Sequence, residues 1–276
     1  MHEADRIAHP EMVLNRVVYD CNACMNKVDA DGKPLPYYTL EGEDDNTLIF
    51  ESRFESGNLR RAVQVYENEY DIVLNPDYNT KGYTGWYFFS VRNAKPGQEY
   101  RFNIINFTKP TSVYNEGMRP LLYSEKRAKE KEIGWSRCGT NVAYYQNAIR
   151  RDKPAVSGEE KNTIRDTRVG FYYSLTFTIT VDYEDDLIYL AHHYPYSYTD
   201  LQRDLNRWLS DPKASQRMRR RKLCETLAGN SCDLITITTF NSSPEVMKAR
   251  KGVILTARVH PGESGASYMM RGVIDY

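Results

Sequence analysis

The sequence predicts a mixed α+β protein of two domains, an antiparallel β-sandwich followed by the opening part of an α/β domain. Three observations carry that expectation. Between Thr47 and Pro195 many short β-like runs alternate with turn residues, the pattern of an all-β sandwich. Beyond Ser197 the order becomes helix, strand, strand, helix, which opens an α/β domain. A length of 276 residues leaves room for two cores. The expected division is a polar arm over 1–46, the sandwich over 47–196 and the incomplete α/β part over 197–276.

The first 46 residues are polar and broken by Pro10, Gly32, Pro34, Pro36 and the acidic cluster Glu41, Glu43, Asp44 and Asp45. So little apolar area cannot offset the entropy of ordering the chain, and the stretch reads as a loose arm with His2 and His9 in solvent. Cys21 and Cys24 have the spacing of half a zinc site or of a redox pair. No second Cys/His pair follows at a metal-binding interval and no βαβ pattern surrounds them, so incidental thiols are the preferred reading.

Strands are expected over 47–52, 59–66, 69–75, 85–91, 99–107, 119–124, 141–145, 172–181 and 187–193. Asn75-Pro76-Asp77 and Lys95-Pro96-Gly97 supply tight reversals between them. In 86–91 and 100–105 alternate positions are large and apolar, as a strand needs when one face meets an opposite sheet. Each such side chain contributes roughly 1.5–3 kcal/mol when buried. The 22 tyrosines fit the same half-buried pleated surfaces. Residues 150–168 are charged, contain Pro154 and Gly158, and read as a mobile hairpin insertion.

After Pro195 the periodicity changes. Leu201, Leu205, Trp208 and Leu209 fall at i, i+4, i+7 and i+8, one face of an amphipathic helix, with Ser197 or Thr199 as its cap and Asp211-Pro212 as its end. The cationic run Arg217 to Lys222 is expected on a helical turn or a loop. A buried strand over 233–239 follows, and a second buried strand over 253–259 ends at Pro261-Gly262. That break leaves His260 and Glu263 at the carboxyl end of the second strand, where open α/β sheets place their chemistry. An imidazole and a carboxylate three residues apart on one turn can both reach a single Zn²⁺, and two histidines with a glutamate form a known catalytic set. A helix over 268–274 is expected next.

Charge narrows the function classes. Lys and Arg number 37 against 37 for Asp and Glu, so whole-molecule attraction to nucleic acid or membrane is absent as an argument. The run Arg217 to Lys222 would suit an acidic peptide better than nucleic acid, or is simply a solvated face. No apolar run approaches the eighteen or so residues of a membrane helix. Five unevenly spaced cysteines with no apolar leader point to a reducing cytoplasm.

Several stretches together resemble one family, the cytosolic carboxypeptidases, a branch of the zinc metallocarboxypeptidases that includes tubulin deglutamylases. They are Phe50 to Leu59, Tyr70 to Leu74, Trp86 to Phe89, Tyr100 to Asn106, Gly117 to Ser124, Tyr194 to Thr199, Leu227 to Asn230 and Ala257 to Glu263, in that order across residues 48–276. The resemblance implies a sandwich module beside a carboxypeptidase domain, with His260 and Glu263 as the first two ligands of one Zn²⁺. It implies removal of C-terminal or branch glutamates from acidic protein tails, tubulin among them. The family's third ligand, its carboxylate-binding pair and its general-base glutamate are expected beyond Tyr276, so no catalytic residue is expected within the chain and turnover by this chain alone is expected to be low. His192 and His193, on a sandwich strand, are not drafted as replacements. The rival reading is a non-catalytic sandwich that binds acidic tails.

Overall fold

Two β-sheets grow from the runs of alternating apolar residues. The computed structural model describes residues 6–80, 82–152 and 169–276. They divide into two compact units, Met1–Asp77 with Lys81–His193, and Tyr78–Thr80 with Tyr194–Tyr276.

The first unit holds β1 (Arg16–Asp20), β2 (Ile49–Glu51), β3 (Leu59–Tyr66), β4 (Glu69–Leu74), β5 (Phe88–Arg92), β6 (Tyr100–Phe107), β7 (Leu121–Ser124), β8 (Ser136–Arg137), β9 (Thr140–Asp152), β10 (Val169–Ile179) and β11 (Ile188–Ala191). One sheet runs β1-β3-β4-β6-β10-β9 and the other β2-β5-β11-β7-β8. Tyr70, Ile72 and Leu74 of β4, Tyr100, Phe102 and Ile104 of β6, and Leu175, Phe177 and Ile179 of β10 recur at period two and are buried. Phe50, Phe89, Val91, Ile188 and Leu190 from the second sheet join them in one apolar core. Ring pairs link the sheets, Phe50 to Tyr70 at 5.3 Å and Phe89 to Phe102 at 6.0 Å between centroids.

One pairing departs from the antiparallel expectation: β4 and β6 run parallel. The chain leaves the first sheet after β4, passes through β5 in the second, and returns in its original direction. A parallel pair requires a crossover of that kind.

A second correction concerns the arm. Residues 16–20 form the edge strand β1 against β3, with Val18 and Tyr19 buried in the main core. Asp20 accepts from Arg60 at 2.5 Å and Arg61 at 2.6 Å, and caps the short helix α1 (Cys21–Cys24). Arg53 donates to the carbonyls of Cys24, Lys27 and Leu35 at 2.5–2.8 Å, which fastens the segment after α1. Polar composition hid this order because the apolar run is only Val17-Val18-Tyr19, and side chains from β2 and β3 supply the rest. Cys24 is buried and Cys21 partly so. His9 is exposed beside Glu11, while His2 lies outside the described residues. Of the expected insertion, 153–168 also lie outside them, and Arg150 and Arg151 belong to β9.

In the second unit the helix α2 (Tyr198–Ser210) starts at a reciprocal cap, Ser197 accepting from the Asp200 N–H while the Asp200 carboxylate accepts from the Ser197 N–H. Leu205, Trp208 and Met218 form its small core with Leu201, Leu209, Ile235 and Ile274. The buried Asp204 carboxylate accepts from the Tyr196 hydroxyl at 2.7 Å and lies 3.5 Å from both Arg207 and Arg271. Asp275 accepts from the Trp208 indole at 2.6 Å and from Arg207 at 2.8 Å.

Three sequence expectations change here. The cationic run starts on a helical turn at Arg217, but from Met218 onward it lies on a strand, β12 (Met218–Glu225), because Met218 is buried and Arg220 finds Asp233 on the facing strand at 2.9 Å. That partner, β13 (Ser231–Ile237), is half-buried instead of buried, since β12 is its only neighbour among the described residues. Residues 253–259 form no strand, and Val253, Ile254, Leu255 and Val259 are 60–91% exposed. An apolar run becomes a strand only against another strand's N–H and C=O groups, and none lies beside it among the described residues.

Candidate metal centre

The turn after the apolar run places the two predicted ligands side by side. The Glu263 N–H donates to the His260 carbonyl at 3.1 Å, closing a four-residue reversal through Pro261-Gly262. Glu263 then stands at the N-terminal boundary of α3 (Ser264–Asp275). His260 Nδ1 and Glu263 Oε1 lie 3.0 Å apart, and both side chains are more than half exposed. Two bonds of about 2.0–2.2 Å to one tetrahedral Zn²⁺ would set such donors roughly 3.3 Å apart, close to what the turn provides. The donor types and spacing therefore fit two positions of a zinc site. No group of three or more His, Cys, Asp and Glu side chains able to hold a metal occurs among the described residues.

Residues that sequence reasoning missed hold this turn. The Arg258 guanidinium donates to the Tyr196 carbonyl and, at 3.2 Å, to the Pro261 carbonyl. Burial pulls it below the ordinary arginine value. The Tyr268 hydroxyl of α3 donates to the Pro195 carbonyl at 2.6 Å, and its ring meets Tyr196 edge-on at 5.1 Å. Between them the turn and the first turns of α3 are tied to residues 195–196. Nothing in the spacing of Arg258 or Tyr268 announces these contacts, because they depend on how the chain returns across α2. Ser264 beside Glu263 is fully buried, and its hydroxyl has no hydrogen-bond partner among the described residues.

His192 has other work. Its ring packs edge-on against Trp86, Tyr87 and Tyr114 at 5.7–6.3 Å, and Nδ1 shares a 3.0 Å hydrogen bond with the Tyr114 hydroxyl. Tyr114 in turn shares a 2.8 Å bond with the Tyr87 hydroxyl. Burial, with His193 and Lys109 adding to it, pushes the imidazole down to about 4. Of the basic run, Arg220 and Lys222 are paired with Asp233 and Glu225, Arg219 lies over the Phe240 ring, and Arg221 is exposed. No described helix is long and apolar enough to cross a membrane.

Residues 50–193 match the family described as the cytosolic carboxypeptidase N-terminal domain. Human cytosolic carboxypeptidase 1 is 40% identical over 280 residues, 99% of this chain and 21% of its own length. Human cytosolic carboxypeptidase 2 is 44% identical over 86% of this chain and 25% of its own length. Mouse cytosolic carboxypeptidase 3 is 46% identical over 84% of this chain and 21% of its own length. The chain thus spans a fifth to a quarter of the relatives it matches. Among solved structures, a metallo-carboxypeptidase from Burkholderia cenocepacia superposes with a TM-score of 0.54 at 19% identity over 83% of this chain and 49% of that one. One from Pseudomonas aeruginosa gives 0.51 at 18% identity over 82% and 48%. These two share the fold.

Proposed function

The chain belongs to the cytosolic carboxypeptidase family, and on that premise we propose that it forms part of a zinc-dependent metallocarboxypeptidase acting in the cytoplasm. Its substrates in this reading are acidic protein tails such as those of tubulin, from which it removes C-terminal or branch glutamates. The observation that carries the proposal is the 3.0 Å approach of His260 Nδ1 to Glu263 Oε1 on an exposed turn. Zn²⁺ held there would supply the Lewis acidity that peptide hydrolysis at neutral pH requires.

This chain's own contribution is positional. Pro261-Gly262 turns the backbone so that both donors face one point, and Arg258 fixes the carbonyl of Pro261 within that turn. His260 Nδ1 and Glu263 Oε1 share one hydrogen bond here, and for both to hold a metal ion the imidazole would have to give up the proton between them. The sandwich made by the two sheets is the accompanying module. Exposed Arg221 on the cationic strand supports an acidic partner.

A second reading has one observation in its favour: the first unit closes its own large core, as a stand-alone module binding acidic tails would. The two readings separate on zinc content by elemental analysis and on glutamate release from a polyglutamylated peptide, measured for this chain and for a longer form continuing past Tyr276. We expect the longer form to hold one zinc and release glutamate, with H260A and E263Q each cutting both at least tenfold. Unchanged zinc content in both variants would remove His260 and Glu263 from the site, and a longer form without release would favour the binding module.

A further inference from the structure

The β12–β13 hairpin carries two of the chain's five cysteines, and its register sets them opposite one another. Cys224 and Cys232 are Cα partners on adjacent antiparallel strands, so both side chains leave the same face of the hairpin. Such pairs have Cα atoms about 4.5–5.5 Å apart, inside the roughly 4.4–6.8 Å that a disulfide spans. Cys224 is an exposed free thiol and Cys232 a partly exposed one. A bulge between Lys222 and Cys224 interrupts the ladder beside the pair, which gives the backbone local room to adjust.

The other three thiols are less available. Cys24 is buried, the Cys138 thiol is pushed up to about 12 by burial, and the Cys21 sulfur already accepts from Asn75 at 3.6 Å.

We propose that Cys224 and Cys232 are a peroxide-responsive modification site that closes into a reversible intrachain disulfide. The Cys224 thiolate attacks one peroxide oxygen, the O–O bond breaks, and the second oxygen leaves as hydroxide that takes up a proton to become water. Cys224 is then a sulfenic acid. Cys232 gives up its proton, and its sulfur displaces the hydroxyl group from the Cys224 sulfur. The S–S bond forms as the S–O bond breaks, and a second water leaves. Two electrons have passed from the two sulfurs to the peroxide, and a dithiol returns them. The order follows from exposure: Cys224 meets solvent first, while burial and the neighbouring Cys224 hold the Cys232 thiol above its ordinary value.

The consequence is local stiffening. A two-stranded hairpin is marginally stable by itself, and this one is closed at its tip by the Thr226 N–H donating to the Asn230 carbonyl at 2.8 Å. A covalent tie just inside the tip suppresses its opening. This inference stands apart from the zinc reading.

The test treats the purified chain with hydrogen peroxide, alkylates remaining thiols, digests without reduction and measures masses. The expected product is a Cys224–Cys232 link, lighter by two hydrogens, formed at least tenfold faster than any other and reversed by dithiothreitol. It should persist in C21S/C24S and vanish in C224S and in C232S. Amide exchange over 218–237 should slow at least tenfold on oxidation of the wild type and remain unchanged in the C224S/C232S variant. A dominant Cys21–Cys24 link, links only between separate chains, or Cys224 advancing to sulfinic acid while Cys232 stays alkylatable would each overturn the proposal.

Discussion

His192 shows how one residue can be read for the wrong reason or the right one. A histidine just past a strand in a metallopeptidase relative invites a metal role, yet its Nδ1 is engaged by Tyr114 inside an aromatic enclosure. A depressed imidazole value makes a definite pH prediction. Its neutral form is favoured by the fold, so that contribution is fully present above about pH 6.5, the unfolded value, and is lost as pH falls towards about 4. Over that window the unfolded chain binds the extra proton, and the loss amounts to up to about 3 kcal/mol. Urea midpoints of wild type and H192Q, compared between pH 7 and pH 4, should converge as pH falls. Parallel curves would show that His192 does not titrate in the enclosure. Single residues were legible in the sequence where a local motif fixed them: Pro261-Gly262 between His260 and Glu263 is a turn whatever surrounds it. Arg53 and Arg258 were not, because each donates to carbonyls 18 to 62 residues away in the chain.

At the scale of elements, period two and period 3.6 located most of what forms. The strands over 59–66 and 100–107 and the helix over 198–210 stand where alternation or a helical stripe placed them. The misreadings share a cause. Residues 253–259 have a strand's composition without a strand's neighbour, and residues 218–225 have a loop's composition with a good one. Pairing decides strand formation, and pairing is not written in the segment itself. The α2–α3 contact can be tested through Asp204, a 6% exposed carboxylate shared by Tyr196, Arg207 and Arg271. Replacing it with Ala leaves the buried Tyr196 hydroxyl without its acceptor, while Arg207 and Arg271 keep Asp275, at a cost of about 1–3 kcal/mol. Thermal unfolding followed by Trp208 fluorescence should show that loss for D204A and a smaller one for D204N. Equal stability of all three would mean that the carboxylate is dispensable.

Across the whole molecule the two units are unequal. Among the described residues, the first has a core of 27 buried apolar side chains and the second a core of three. Native-state hydrogen exchange should therefore find the slowest amides in β4, β6 and β10 and the fastest in 251–259, with the second unit opening at lower free energy than the first. Uniform protection would contradict this. Length left room for two cores without setting the size of either, since the exposed Val253, Ile254 and Leu255 look identical to interior residues until their surroundings are known.

The parallel β4–β6 pair bears on how the chain first reaches this state. The 25 residues between Leu74 and Tyr100 must traverse the opposite layer before the β4–β6 ladder can zip, and the entropy of closing that loop is lost before any ladder bond returns it. Neighbouring hairpins can form early, but the central ladder cannot. Refolding of this unit is thus rate-limited by a non-local step, and exchange labelling during refolding should find β6 protected no sooner than β5.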